Sequence, residues 1–187
     1  MMININDKVQ NFKVKAFHNG DLKEIDLADY DGRWKILFFY PADFTFVCPT
    51  ELGDLADYYQ DFQKEGAEIF SVSTDTEYVH FAWHCDSPTI KKITFPMLAD
   101  PAGKLSRYFG VYIEDAGLAL RGTFVVDPDG ILKLVEINDL GIGRSAKELL
   151  RKLRAAKFVR EHGEVCPAAW EPGKETLKPG KNLVGKI

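Results

Sequence analysis

The sequence predicts an α/β fold whose centre is a helix that joins two buried strands. Residues 36–40 and 69–73 are short runs dominated by apolar side chains, which is typical of strands buried on both faces. Between them apolar residues recur every three or four positions, which is the period of an amphipathic helix: Leu52, Leu55, Tyr59 and Phe62. Two strands joined by a helix imply a parallel crossover connection within one sheet.

The residues before this central unit predict a small β addition at the N-terminus. Phe12, Val14 and Ala16 alternate with polar residues, and His-Asn-Gly-Asp at positions 18–21 predicts a turn. Asp31 and Gly32 then interrupt the chain before the first central strand. Residues 9–30 are therefore expected to form strands that are additional to the central unit.

After the second central strand the pattern returns to a helix. Residues 74–77, Thr-Asp-Thr-Glu, have the spacing of a capping box and predict a helix that runs through His84. Prolines at positions 88, 96 and 101 make residues 86–110 less regular.

Two more elements complete the fold. Apolar runs at 124–126 and 131–135 flank Asp-Pro-Asp-Gly, which predicts a hairpin. Residues 145–148, Ser-Ala-Lys-Glu, predict the start of a last helix, with apolar residues on one face. The order strand, helix, strand, helix, hairpin, helix is the layout of the thioredoxin fold, here with an N-terminal β addition.

The last part of the chain predicts an arm rather than a packed element. From Gly163 onward the sequence is rich in proline, glycine and lysine. We therefore expect a thioredoxin-like domain at 1–162 and a C-terminal arm at 163–187. Because the arm is short and polar, it is expected to bury little apolar surface.

Composition excludes several classes of function. The 187 residues carry a net charge of −4, which disfavours a nucleic-acid or anionic-membrane surface. No apolar run approaches the length of a membrane span, and the first residues lack the basic and apolar regions of a signal peptide. A cytoplasmic location is the expectation.

Three cysteines are an odd number, so they cannot form a complete disulfide framework. In a reducing compartment such cysteines are catalytic, metal-binding or inert. Cys48 directly precedes Pro49, a residue favoured at the first helical position, and so falls at a helix N-terminus behind a buried strand. Backbone N–H groups and the helix dipole at such a place favour a thiolate. The alternative is that Cys48 only fills space in the core.

A reactive thiol also needs partners. Lowering a thiol's pKa raises its thiolate fraction but weakens the nucleophile, so the net gain in rate is only a few-fold. The remaining rate must come from groups that stabilise developing charge. The candidates are Arg121, beside the predicted hairpin strand, and the Thr45 hydroxyl, with Glu51 placed to fix either Arg121 or Arg144. The simpler interpretation is that Arg121 is an ordinary surface arginine and that Thr45 only caps its loop.

These residues carry a resemblance to a family. Pro41-x-x-x-Thr45-x-x-Cys48 followed by Pro-Thr-Glu resembles the active-site signature of the peroxiredoxins, and residues 119–127 resemble their second active-site segment. Residues 163–170, with Cys166, are similar to the resolving-cysteine segment of the typical 2-Cys group. The similarity covers essentially the whole chain.

The resemblance implies a mechanism and a set of partners. Cys48 attacks a hydroperoxide and becomes a sulfenic acid, Thr45 aligns the peroxide, Arg121 stabilises its charge and Pro41 shields the site. Cys166 of a second subunit then forms a disulfide, which a flavoprotein reductase or thioredoxin opens. The family also implies homodimers, assembled into a decamer.

Other residues have simpler interpretations. Cys85 lies outside the pattern and is expected to be inert. His80 and His84 are four apart, but no further ligand at suitable spacing completes a metal site. No nucleotide-binding fingerprint is present, so any flavin or nicotinamide is expected to lie on the reductase. Neither a cofactor nor a metal is predicted for this chain. Two non-enzymatic functions stay open, a peroxide sensor and a ring-shaped holdase, and the sequence does not identify the preferred peroxide.

Overall fold

The computed structural model describes residues 3–186, and these form two compact units. The first unit extends to Ala146, and the second begins at Lys147. Among the helices within residues 3–186, none has both the length and the apolar character needed to cross a membrane.

The first unit is organised around a mixed seven-stranded sheet with the strand order β2-β1-β5-β4-β3-β8-β9. A separate two-stranded sheet pairs β6 with β7. In chain order the strands are β1 (Lys13–His18), β2 (Asp21–Asp26), β3 (Trp34–Phe39), β4 (Ala67–Ser73), β5 (Met97–Ala99), β6 (Tyr112–Ile113), β7 (Leu118–Ala119), β8 (Arg121–Val126) and β9 (Leu132–Asn138).

Residues 3–186 also contain four α-helices and three short 3-10 helices. The α-helices are α1 (Cys48–Lys64), α2 (Glu77–Asp86), α3 (Lys104–Tyr108) and α4 (Ala146–His162), and the 3-10 helices are Leu27–Tyr30, Ile90–Lys92 and Lys181–Leu183. The helix α1 joins β3 to β4, which pair in parallel as predicted. The predicted thioredoxin-like α/β fold is confirmed.

The central strands are buried on both faces. Every residue of β3, β4 and β8 is buried, as expected of strands in the middle of a covered sheet. Successive side chains of a strand point to opposite faces. Leu37 and Phe39 of β3 belong to an apolar cluster with Phe109 and Phe124, whereas Phe38 lies against the charged site described below.

The N-terminal and C-terminal hairpins follow the sequence patterns. Strands β1 and β2 pair antiparallel around the predicted turn, where Asn19 and Gly20 have positive φ. Strands β8 and β9 pair antiparallel around the predicted Asp-Pro-Asp-Gly turn. Because β8 also pairs antiparallel with β3, the start of β8 lies near the end of β3. This register is what brings distant parts of the chain to one site.

The predicted capping box at residues 74–77 is wrong. The helix begins at Glu77, two residues later than that pattern implies, and its N-cap, Thr76, makes no side-chain capping bond. Asp75 is held outside the helix because its carboxylate accepts hydrogen bonds from the Ser73 hydroxyl, at 2.7 Å, and the Asp43 N–H, at 2.8 Å. A tertiary contact therefore overrides the local signal.

The region predicted to be less regular contains one strand of the main sheet. The three residues of β5 pair in parallel with β4 and antiparallel with β1. The proline-punctuated sequence hides this strand because three residues carry no periodic signal.

The second unit consists of α4 from Lys147 onward and the C-terminal segment. Val165 and Leu177 form an isolated antiparallel bridge. The Trp170 side chain is only 3% exposed and packs on Phe158, with ring centroids 5.0 Å apart. The Arg151 guanidinium donates to the Trp170 carbonyl at 2.9 Å. The expectation of little apolar burial in this segment is therefore wrong at Trp170, a large side chain in an otherwise polar stretch.

Candidate active site

The site is built where strand β3 ends and helix α1 begins. Pro41 follows the strand and is buried, and a short loop leads to Val47, the N-cap of α1. Cys48 is the first residue of the helix, Pro49 comes next, and the Cys48 side chain is 0% exposed. The predicted position of Cys48 at a helix N-terminus is therefore what the structure shows.

Arg121 approaches Cys48 from the neighbouring strand. It is the first residue of β8 and is only 3% exposed. Its Nη1 lies 3.4 Å from the Cys48 Sγ, and its Nε donates to the Leu140 carbonyl at 2.8 Å. A guanidinium offers several donors in one rigid plane, so it can be anchored by one nitrogen while another faces the sulfur.

Glu51 binds both Arg121 and Arg144, which the sequence predicted as alternative partners. Its carboxylate accepts from Arg121 Nη1 at 2.7 Å, and from the Arg144 Nε at 2.9 Å and Nη2 at 3.1 Å. The Arg144 backbone N–H donates to the same carboxylate at 2.8 Å. Glu51 is one helical turn after Cys48, so α1 places the thiol and its charged support together.

Arg144 is further fixed by two residues of the sheet. Its Nη1 donates to the Thr123 hydroxyl at 3.1 Å, and its guanidinium lies 3.4 Å from the centroid of the Phe38 ring. Burial lowers the pKa of Arg144, while the hydrogen bonds and charge of Glu51 raise it. The result is a buried group of two guanidiniums and one carboxylate, with one excess positive charge beside Cys48.

Thr45 belongs to the loop between β3 and α1 and is half-buried. Its hydroxyl donates to the Ala42 carbonyl at 2.8 Å, which leaves the oxygen's lone pairs as acceptors. Between these two residues Phe44 has φ of 54°, a left-handed conformation that is costly for a bulky side chain. The loop that carries Thr45 is therefore a strained turn.

Cys166 lies in the second unit. It is half-buried, and its Sγ contacts the Ala155 carbonyl at a distance of 3.8 Å. Burial raises the pKa of the Cys166 thiol, and the Arg151 charge opposes that effect. Cys48, Cys85 and Cys166 are free thiols in this structure.

The other singled-out residues lie outside this charged group. Cys85 is exposed near the end of α2. His80 is fully buried, with Nδ1 2.7 Å from Asp43 and Nε2 3.1 Å from the Leu98 carbonyl. Both its ring nitrogens are thus engaged by protein groups. Within residues 3–186, no cluster of three or more His, Cys, Asp or Glu side chains is arranged to hold a metal ion.

Two features of the site have no signal in the sequence. The Leu140 carbonyl that anchors Arg121 is a backbone group, and any residue type could supply it. The contact of Asp43 with His80 joins residues that are 37 positions apart. The histidine could be singled out from the sequence only by its spacing from His84.

Known families match both parts of the chain. Residues 5–135 match the AhpC/TSA family, and residues 155–184 match the C-terminal domain of 1-Cys peroxiredoxin. The chain is 56% identical over 184 residues to alkyl hydroperoxide reductase C of Salmonella typhimurium, covering 98% of each protein.

Solved structures agree with the sequence relatives. The crystal structure of Enterococcus faecalis AhpC superposes with a TM-score of 0.85 at 53% identity, over 87% of this chain and 98% of that one. Reduced 2-Cys peroxiredoxin from Plasmodium vivax superposes with a TM-score of 0.89 at 33% identity, over 95% and 94%. The resemblance predicted from residues 41–51, 119–127 and 163–170 is thereby confirmed, and the chain belongs to the AhpC/TSA family of peroxiredoxins.

Proposed function

We propose that the chain is a thiol-dependent peroxidase that reduces hydrogen peroxide and organic hydroperoxides, with Cys48 as the attacking thiol. The observation that carries the assignment is the 3.4 Å contact between the Arg121 Nη1 and the Cys48 Sγ, which belong to two buried side chains. Membership of a family that includes alkyl hydroperoxide reductase C supports the same chemistry.

Two positive charges and one negative charge lie beside Cys48. Arg121, Arg144 and Glu51 together carry one excess positive charge, and all three are buried. A buried net charge is costly unless it is compensated. The excess positive charge is therefore available to stabilise negative charge that develops during the reaction at Cys48.

The first chemical step transfers one oxygen atom to sulfur. The Cys48 thiolate attacks the terminal oxygen of ROOH, the O–O bond breaks, and RO⁻ leaves and is protonated to the alcohol or to water. Cys48 is then a sulfenic acid. Arg121 stabilises charge spread over the two oxygens, the Thr45 hydroxyl aligns the peroxide, and Pro41 keeps solvent away.

The second step forms a disulfide. The Cys166 thiol attacks the sulfenic sulfur, and the sulfenic oxygen leaves as water. Cys166 comes from a second subunit of a homodimer, and these dimers assemble into a decamer. Residues 1–162 act as the peroxidase domain and residues 163–187 as the arm that delivers the resolving thiol.

A disulfide reductase completes the cycle. The electrons that reopen the disulfide come from a partner, either a flavoprotein reductase or thioredoxin. We place the reaction in the cytoplasm, where such reductants are available.

The test is peroxide consumption with and without a reductant. Without one, the wild type should consume one equivalent per Cys48 and form the Cys48–Cys166 disulfide. With at least one of the two reductase systems it should turn over many times, while Cys48→Ser consumes nothing. Cys166→Ser should consume one equivalent and accumulate sulfenic acid at Cys48. A sensor or a holdase would instead stall after one equivalent in the presence of every reductant, and that outcome would refute the proposal.

A further inference from the structure

A second buried polar group lies beside the site, and the reaction described above does not use it. The Asp43 carboxylate accepts from the Tyr40 hydroxyl at 2.7 Å through Oδ1, and contacts the His80 Nδ1 at 2.7 Å through Oδ2. The His80 Nε2 reaches the Leu98 carbonyl at 3.1 Å. Asp43 and His80 have side chains that are 0% exposed, so water cannot replace either partner.

The hydrogen bonds define where one proton lies. A carbonyl oxygen can only accept, so the His80 Nε2 carries a hydrogen. The contact between Nδ1 and Asp43 then holds a single shared proton, and the pair has no net charge. Burial raises the pKa of Asp43. Burial lowers the pKa of His80, but the hydrogen bond and charge of Asp43 raise it more.

Asp43 of this pair belongs to the strained turn in the loop between β3 and α1. Asp43 directly precedes Phe44, whose φ is 54°, and Thr45 follows. The Asp43 N–H is also held, by the Asp75 carboxylate at 2.8 Å. A strained conformation persists only where surrounding contacts determine it. Asp43, which directly precedes the strained Phe44, is therefore anchored through both its backbone and its side chain.

We propose that Asp43 and His80 are positioning residues of the peroxide site, which hold the turn at Phe44 and thereby place the Thr45 hydroxyl for the incoming peroxide. This rests on the proposed function, because it assigns the alignment of the peroxide to Thr45. The pair acts through geometry because it is neutral as a unit. Within residues 3–186, neither Asp43 nor His80 hydrogen-bonds to Cys48 or Arg121.

The test compares two reactions of Cys48 in the same variants. Asp43→Ala and His80→Ala should lower the rate constant of Cys48 oxidation by hydrogen peroxide by about tenfold to a hundredfold, as expected for a misplaced reactant. Alkylation of Cys48 by iodoacetamide does not need an aligned peroxide, so its rate should change by less than about twofold. Equal losses in both reactions, or no loss in peroxide rate, would overturn the proposal.

A conservative variant separates geometry from charge. In Asp43→Asn the amide oxygen can accept from Tyr40, and the amide N–H can donate to Nδ1 of a neutral His80. The same contacts are kept, so the peroxide rate constant should stay close to the wild-type value. If Asp43→Asn were as slow as Asp43→Ala, the carboxylate charge would be the cause and positioning would be refuted.

Tyr40→Phe and Tyr59→Phe form a matched pair. Comparing them separates an effect on the peroxide site from a general loss of stability. Each deletes a buried hydroxyl that donates to a carboxylate, Asp43 in one case and Glu68 in the other. Both should lower the thermal midpoint, but only Tyr40→Phe should slow peroxide reduction. Equal peroxide rates in the two variants would contradict the proposal. Failure of the wild type to reduce peroxide would instead refute the proposed function.

Discussion

Cys48 and Cys166 lie in surroundings that are organised in opposite ways. Cys48 is 0% exposed and faces Arg121, whose orientation is set by Glu51 and the Leu140 carbonyl. Cys166 is half-buried, and its Sγ contacts a backbone carbonyl at 3.8 Å. Bond-making to peroxide requires donors that are already in place. In the proposed mechanism the Cys166 thiol must reach Cys48, which requires the C-terminal segment to open.

The largest expected effect follows from removing the carboxylate that supports the arginines beside Cys48. Glu51→Gln removes the one carboxylate that joins two buried guanidiniums. Removing one partner of a buried ion pair costs about 3–5 kcal/mol, so the free energy of unfolding should fall by about that amount. Urea titration measures the loss. The control is Glu114→Gln, whose partner Arg107 is on the surface, and a comparable loss there would contradict the argument.

Arg121→Lys should have the next largest effect, on rate rather than on stability. Lysine keeps the charge but loses the planar fork that reaches Leu140, Glu51 and Cys48 together. Loss of one preorganised donor typically costs about a hundredfold in rate. Stopped-flow oxidation of Cys48 measures it, with Arg107→Lys as the matched surface control. A wild-type rate in Arg121→Lys would mean that simple charge is sufficient.

The arm offers a smaller and more local test. Trp170→Phe keeps an aromatic ring but removes the indole N–H that donates to the Lys174 carbonyl at 3.0 Å. One such bond contributes about 1 kcal/mol, which corresponds to about fivefold faster local opening. Hydrogen exchange of residues 163–178 should show this, with Cys48 oxidation unchanged. Faster opening speeds resolution, so mass spectrometry should find less sulfinic acid at Cys48 during turnover.

The control for that prediction is a tryptophan in the first unit. Trp34→Phe alters a buried residue of β3 and should leave exchange in residues 163–178 at its wild-type rate. If Trp170→Phe increased sulfinic acid at Cys48, opening of the arm would not limit resolution.

Cys85→Ser is expected to have the smallest effect. The thiol is exposed near the end of α2 and lies outside the charged group at Cys48. The peroxidase rate should therefore be unchanged, and the free energy of unfolding should change by less than about 0.5 kcal/mol. Peptide mapping after peroxide treatment provides a second check, because a disulfide between Cys85 and Cys48 would show that the third cysteine takes part.

Local patterns in the sequence predicted much of this fold. The buried run that becomes β3, the helix start at Cys48 and the hairpin of β8 and β9 each depend on neighbouring residues, and each was predictable. The three-residue strand β5 was not, because it is held by β1 and β4 rather than by its own pattern. The capping box at residues 74–77 failed for a related reason, since Asp75 has partners elsewhere in the chain.

By itself the sequence determined the kind of chemistry, and the tertiary structure decided which of the candidate residues contact each other. A proline after a cysteine sets a helix start, and with it the position of Cys48, because that preference is local. Glu51 could have held either Arg121 or Arg144. It reaches Arg121 because β8 runs antiparallel beside β3, and the segment between β9 and α4 brings Arg144 to the same carboxylate. The Asp43 and His80 contact is likewise decided by packing, since burial removes the water that would otherwise satisfy each polar group.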